Sequence, residues 1–183
     1  MNLPGSSKSA YFLAEVSKKI ETHTLSVVVD NLPGVLARVV GLFSGRGYNI
    51  ESLTVSEVEH EKHISRITIV TTGTRAVIDQ IRHQLGRLVP VHRVVDLTEV
   101  GDAIERELAL VKIISSGEMR AEILRIAQAI GARTVDVTLE SFVFEFSGAP
   151  PEIDRFINLM AKMGTVDVAR TGLAAIARGA EAI

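Results

Sequence analysis

The chain has 183 residues, 46% of them apolar and 23% charged, with a formal charge of −2 at pH 7. With two Tyr, six Phe and no Trp, aliphatic side chains must build the core, and nothing in the charge points to nucleic acid or an anionic membrane. The absence of Cys excludes disulfides, thiolate catalysis and cysteine metal sites, and fits a cytoplasmic protein.

No apolar run approaches the length of a membrane span. Residues 1–22 read as an N-terminal extension. Its one apolar cluster, Ala10–Ala14, is followed closely by Glu15, Lys18 and Lys19, too short for a signal-peptide core and suited to one amphipathic turn. Thr24–Asp30 reads as a strand with Leu25, Val27 and Val29 on one face. Asn31 then has the chemistry of a helix cap and Pro33 that of a first-turn residue. Leu36, Val39, Val40 and Phe43 follow at helical spacing up to about Ser44, where Gly45-Arg46-Gly47 ends the helix. A second strand runs from Ile50 to about Val58, introduced by Asn49. Glu59–His63 reads as a hairpin turn and Ile64–Thr71 as a third strand. Gly73-Thr74 opens a helix carrying Val77, Ile78, Ile81, Leu85 and Leu88; Pro90 closes it, and Val91–Leu97 is a fourth strand.

Thr98–Ile104, polar and containing Gly101, reads as a linker, after which the order repeats. Glu107–Ser115 is a strand. Ser116-Gly117 lead into a helix that Gly131 terminates. Thr134–Leu139 and Phe142–Phe146 form a hairpin turning at Glu140-Ser141. Pro150-Pro151 start a helix that Gly164 ends, Val166–Ala169 is the eighth strand, and the Ala- and Gly-rich tail Thr171–Ile183 is expected to be partly helical and frayed. Two successive βαββαβ units define an α+β chain of two tandem ferredoxin-like domains, residues 23–98 and 105–179. Each sheet has helices on one face, so an open face carrying Val, Ile and Leu would pair with a second copy. The expected state is a homodimer.

Chemistry is sparse. There is no G-x-S-x-G, H-E-x-x-H, P-loop or post-strand G-x-G-x-x-G. His60 and His63, beside Glu59 and Glu61, suit a weak metal site, but a solvated hairpin tip accounts for them and no metal site is assigned. His23, His83 and His92 are scattered, and Asp30 has no identifiable partner for acid–base work. No catalytic residue is assigned. A binding role reads better. The stretch Asn31, Leu32, Pro33 and Gly34 opens a helix, where the first free N–H groups (Pro33 has none), a positive dipole end and the missing Cβ of Gly34 make a seat for a carboxylate. An ordinary strand-to-helix connector would have the same residues. Asn49 offers one acceptor and two donors, though it also suits a left-handed turn. Leu32, Val35 and Leu36 would line a small apolar pocket for a branched side chain.

Asp30-Asn31-Leu32-Pro33-Gly34-Val35-Leu36 resembles the opening signature of the ACT domain, a βαββαβ module that binds amino acids. The run from Gly41 to Val55, with Ser65-Arg66-Ile67-Thr68-Ile69, resembles the regulatory (small) subunits of acetolactate synthase, also called acetohydroxyacid synthase. Glu105–Ile113 resembles the start of that family's C-terminal domain, and Arg170-Thr171-Gly172 with Arg178-Gly179 its ending. The likeness covers roughly residues 23–179 and leaves residues 1–22 as an addition.

The resemblance implies a non-catalytic subunit that activates a thiamine-diphosphate-dependent large subunit and confers feedback inhibition by valine in branched-chain amino acid biosynthesis. It implies homodimerisation through the ACT domains. Asn31 and Gly34 of one protomer would hold the effector carboxylate, while Asn49 and Ile50 reach across from the other. Thiamine diphosphate, Mg and FAD would belong to the catalytic partner. Here only Gly101-Asp102-Ala103 stands where a thiamine-diphosphate enzyme carries Gly-Asp-Gly. The alternative is a free-standing ACT-type amino-acid sensor. A sensor that also regulated transcription would need a helix-turn-helix or a basic stripe, and neither is found.

Overall fold

The computed structural model describes residues 19–101 and 103–180. The first unit is β1 (Ile20–Asp30), α1 (Val35–Ser44), β2 (Ser52–Glu59), β3 (Ile64–Thr74), α2 (Arg75–Leu85) and β4 (Val91–Asp96). A four-residue turn of helix, α3 (Leu97–Val100), precedes the second: β5 (Ile104–Ile114), α4 (Met119–Ile130), β6 (Arg133–Val137), β7 (Ser141–Gly148), α5 (Pro150–Ala161) and β8 (Thr165–Arg170). A last strand, β9 (Ala174–Ile176), follows. The chain is therefore two tandem βαββαβ units, and the antiparallel sheets run β2-β3-β1-β4 and β6-β7-β5-β8. Among the described residues no helix is long and apolar enough to cross a membrane.

Alternation builds both cores. Leu25, Val27 and Val29 of β1 and Ile67 and Ile69 of β3 face Val35, Val39 and Phe43 of α1 and Ile78, Ile81 and Leu85 of α2. In the second unit Ala109, Val111 and Ile113 meet Phe142 and Phe144, with Ile123 from α4 and Ile153, Phe156 and Met160 from α5 above them. Phe144 and Phe156 meet edge-on at 6.3 Å.

Several boundaries differ from the sequence reading. β1 starts at Ile20, inside the expected extension, because β3 runs on to Thr74 and gives Ile20–Thr22 ladder partners at Thr72–Thr74; the Ala10–Ala14 cluster lies outside the described residues. Helix α1 begins at Val35, four residues after Asn31, since Gly34 at φ 84° turns the chain in left-handed geometry first. β2 begins at Ser52, two residues later than expected. The expected linker Thr98–Ile104 is mostly structured: Asp96 Oδ1 accepts from the amides of Thr98 (3.0 Å) and Glu99 (3.3 Å) and caps α3. The second hairpin turns at Thr138–Glu140, where the Thr138 hydroxyl accepts from the Glu140 and Ser141 amides.

The tail is the largest correction. It is neither helical nor frayed over its described part: β9 pairs with Ile104–Arg106 of β5, and Leu173 and Ala175 are buried with Leu97. Val70 and Val95, on the helix-free face of the first sheet, pack against this cluster. That face is rich in hydroxyls, with Thr24, Ser26 and Thr68 all buried, and the chain's own C-terminal segment covers part of it. The expected argument for a dimer, an apolar face left open, therefore does not apply there. Leu173→Ala removes a 4%-exposed side chain and costs about 2–4 kcal/mol. A frayed tail would change stability by less than about 0.5 kcal/mol. The urea midpoint of the variant separates the two.

Candidate functional site

The start of α1 lies where β1 ends. Asn31 N donates to the His63 carbonyl (2.6 Å) and Leu32 N turns back to Asp30 O (3.0 Å). Val35 N reaches the Leu32 carbonyl at 3.3 Å, and the helical ladder begins with Arg38 N to Gly34 O at 3.1 Å. The amides of Leu36 and Ala37 stand ahead of that ladder, where helix N–H groups have no intrahelical acceptor. Gly34 has open space around its missing Cβ, so its left-handed φ is what demands glycine there. Leu32 and Leu36 are 58% and 41% exposed, while Val35 is buried in the core. Of the three expected pocket residues, then, only Leu32 and Leu36 are presented to a ligand.

Asn31 is not the helix cap. The cap position is Gly34, and no side chain bonds the first turn. The Asn31 amide instead donates to Glu57 on β2. His60 Nδ1 lies 2.9 Å from Glu57 Oε2, and His63 Nδ1 3.7 Å from its other oxygen. The bond from His60, then that from Asn31, holds the Glu57 carboxyl below the usual carboxylate range. Asp30 is not alone either, since its Oδ1 lies 2.6 Å from His92 Nε2. Sequence alone did not find Glu57 or His92. The signal available was the register, which turns Glu57 toward Ser65 beside the β1–α1 corner. Among the described residues no group of three or more His, Asp or Glu is arranged to hold a metal.

Asn49 and Ile50 lie at the other end of the same unit. Tyr48 folds edge-on over Phe43 at 6.3 Å, and its amide bonds the Phe43 carbonyl (3.0 Å). The Asn49 carbonyl accepts from Thr71 Oγ1 (2.6 Å), and Glu51 N donates to Val70 O (2.8 Å). The Asn49 side chain is left exposed and Ile50 half-buried. Along β3, the His63–Ile64 end that receives Asn31 and the Thr71 end that holds Asn49 are about 23 Å apart at 3.3 Å per residue. One protomer thus does not bring Asn31–Leu36 and Asn49–Ile50 together.

Beside the Asn49 end, a cavity of about 680 Å³ opens between the two units, lined among others by Glu51, Ser52, Leu53 and Val70 from one and Glu105 and Arg170 from the other. Arg170 bridges Glu107 and Asp154 (2.6 Å to Asp154 Oδ1), and Thr24 Oγ1 donates to Glu105 Oε1 at 2.7 Å across the junction. His23 and Asp96, both buried, pair at 2.7 Å next to it. That pair serves the fold, because Asp96 also caps α3.

The sequence matches two family profiles, one described as the AHAS small subunit-like ACT domain over residues 25–93 and one as the small subunit of acetolactate synthase over residues 106–179. It is 44% identical over 157 residues to a probable acetolactate synthase small subunit of Archaeoglobus fulgidus, covering 86% of this chain and 97% of that one. It is 38% identical to the acetolactate synthase small subunit of Mycolicibacterium smegmatis over 92% of this chain and 98% of that one. Among solved structures, the acetolactate synthase small subunit of Thermotoga maritima superposes with a TM-score of 0.78 at 35% identity, over 88% of this chain and 99% of that one.

The Asn31–Glu57 contact is testable without any ligand. Asn31→Ala removes one of the two bonds that depress the Glu57 carboxyl, so its titration midpoint moves up toward the ordinary value of about 4.3, as read by carboxyl-carbon NMR. Stability linked to a depressed carboxyl is fully present above its unfolded pKa and fades as pH falls through the folded one. The variant and the wild type should therefore converge at low pH. An unmoved Glu57 midpoint overturns the contact.

Proposed function

The chain belongs to the family of acetolactate synthase small subunits, and on that premise we propose that it stimulates a catalytic large subunit and confers feedback inhibition by valine. As a small subunit it is the regulatory component and works with a catalytic one. Thiamine diphosphate, Mg and FAD belong, in this reading, to that partner, and the complex works in the cytoplasm on branched-chain amino acid synthesis.

The observation that carries the effector site is the separation of its two halves. A carboxylate seat at Gly34 and Leu36 lies at one end of the unit, and a donor–acceptor side chain at Asn49 lies at the other. A two-fold related copy would set the Asn49–Ile50 end of one protomer against the Asn31–Leu36 end of its partner, twice over. Edge strand β2, with Val55 44% and Val58 46% exposed, offers a surface on which the copies meet. The amino acid's carboxylate would take the α1 amides and Asn31, its ammonium the Asn49 oxygen, and its side chain would cover Leu32 and Leu36.

Asn49→Ala separates the roles. The Asn49 carbonyl, which the fold uses, survives the change, so folding and stimulation of the large subunit persist. Loss of the side-chain contact weakens valine binding by about 1–3 kcal/mol, moving half-inhibition about 5- to 150-fold higher. Stimulation and the valine inhibition curve, measured on the reconstituted complex, check both. A variant that stays fully valine-sensitive overturns the cross-protomer site.

A further inference from the structure

The two units touch through more than the chain that joins them. Leu173 N donates to Ser52 Oγ (3.0 Å) and Thr54 Oγ1 donates to the Leu173 carbonyl (2.8 Å). Two hydroxyls on β2 thus occupy both main-chain groups of one tail residue, as a neighbouring strand would. On either side of Leu173 the tail belongs to the second unit. Thr171 N bonds the Leu108 carbonyl (3.0 Å), Leu108 N bonds Thr171 Oγ1 (3.1 Å), and residues 174–176 pair with 104–106 of β5. Gly172 at φ 82° makes the turn between them, and a Cβ there would meet Thr54 Cγ2 at 2.9 Å and Ser52 Oγ at 3.0 Å.

The position of this grip matters. Ser52 is three residues from Asn49, and the segment between is fixed to β3 by Thr71 Oγ1 to Asn49 O and by Glu51 N to Val70 O. Asn49 and Ser52 thus sit in one short stretch held to β3, so a displacement of Asn49 would bear on Ser52. We propose that Ser52 and Thr54 are positioning residues whose clamp on Leu173 transmits effector occupancy at the Asn49 end to the C-terminal unit. The proposal rests on the effector reading given above. Neither hydroxyl belongs to the apolar core, and Thr24 Oγ1 to Glu105 shows that an inter-unit bond on the central strand β1 is available for comparison.

The test uses the full chain reconstituted with its large subunit, in four forms: wild type, S52A/T54V, G172A and T24V. S52A/T54V and G172A should stimulate the large subunit and bind valine as the wild type does, yet lose most of the inhibition that saturating valine produces, as the coupling between occupancy and activity falls by about tenfold. The amides of residues 173–176 should exchange with solvent at least about tenfold faster in both, as local opening becomes easier. T24V should keep the wild-type inhibition curve. An unchanged curve in S52A/T54V and G172A overturns the proposal. So do an unchanged exchange rate and valine binding lost together with inhibition, which would make these residues part of the site. G172A keeps the test open should S52A/T54V fold poorly. A wild-type chain that neither binds valine nor is inhibited by it overturns the effector reading instead, and the exchange rates alone then judge the clamp.

Discussion

A sheet with helices on one face has to do something with the other, and this constraint shapes the molecule. In the first unit the helix-free face is built from Thr24, Ser26 and Thr68 beside Val70 and Val95. It is too polar to form a core by itself and too buried to be left to water without partners. The segment after β8 meets part of each need, while the buried Ser26 hydroxyl has no hydrogen-bond partner among the described residues. Leu173 and Ala175 supply apolar contact, and the Leu173 main chain supplies a donor and an acceptor to Ser52 and Thr54. That segment is at the same time held to β5. Covering one sheet therefore attaches the two units to each other.

Wherever a local pattern determined the structure, it was legible in the sequence. The alternation of Leu25, Val27 and Val29 is decided by burial on one face and appears as read; on α1 Val39 and Phe43 are buried as read, but Val35 takes the core position expected of Leu36, which is exposed. The boundaries that moved were set by partners distant in sequence. β1 reaches back to Ile20 because Thr74 is there to pair with it. Ala174–Ile176 is a strand because Ile104–Arg106 offers an edge, although its Ala-rich composition favours helix. Asn31 shows the same failure at a single residue. Its chemistry suits a cap, but Gly34 takes that position three residues later and the amide finds Glu57 instead.

The candidate residues can be singled out from their chemistry in the sequence, whereas their arrangement across two protomers came from the family resemblance alone. Asn31, Gly34 and Asn49 stand out because each combines a turn-forming backbone with free polar capacity. Nothing in the spacing shows that α1 points its two ends away from each other. In this topology that is unavoidable, since the helix crosses back over the sheet from the end of β1 to the start of β2. Two half-sites at opposite ends of one unit make a whole site only by symmetry, so a site of this kind and a dimer come together.

The Asn31–Glu57 bond also bears on what the proposed site selects. An incoming carboxylate at Asn31 replaces one charge-assisted hydrogen bond with another of the same kind, so that exchange adds little net affinity. The surplus must come from elsewhere. The α1 amides ahead of the ladder favour any anion alike, which leaves side-chain discrimination to Leu32 and Leu36. Covering those two exposed leucines is worth on the order of 1 kcal/mol each, and a methyl-bearing side chain gains it where a polar one does not. An affinity assembled from such small terms is modest. In the proposed role such an affinity would let the response follow the effector's own concentration. The depth of the proposed inhibition would be bounded by the difference in effector affinity between the two states of the complex.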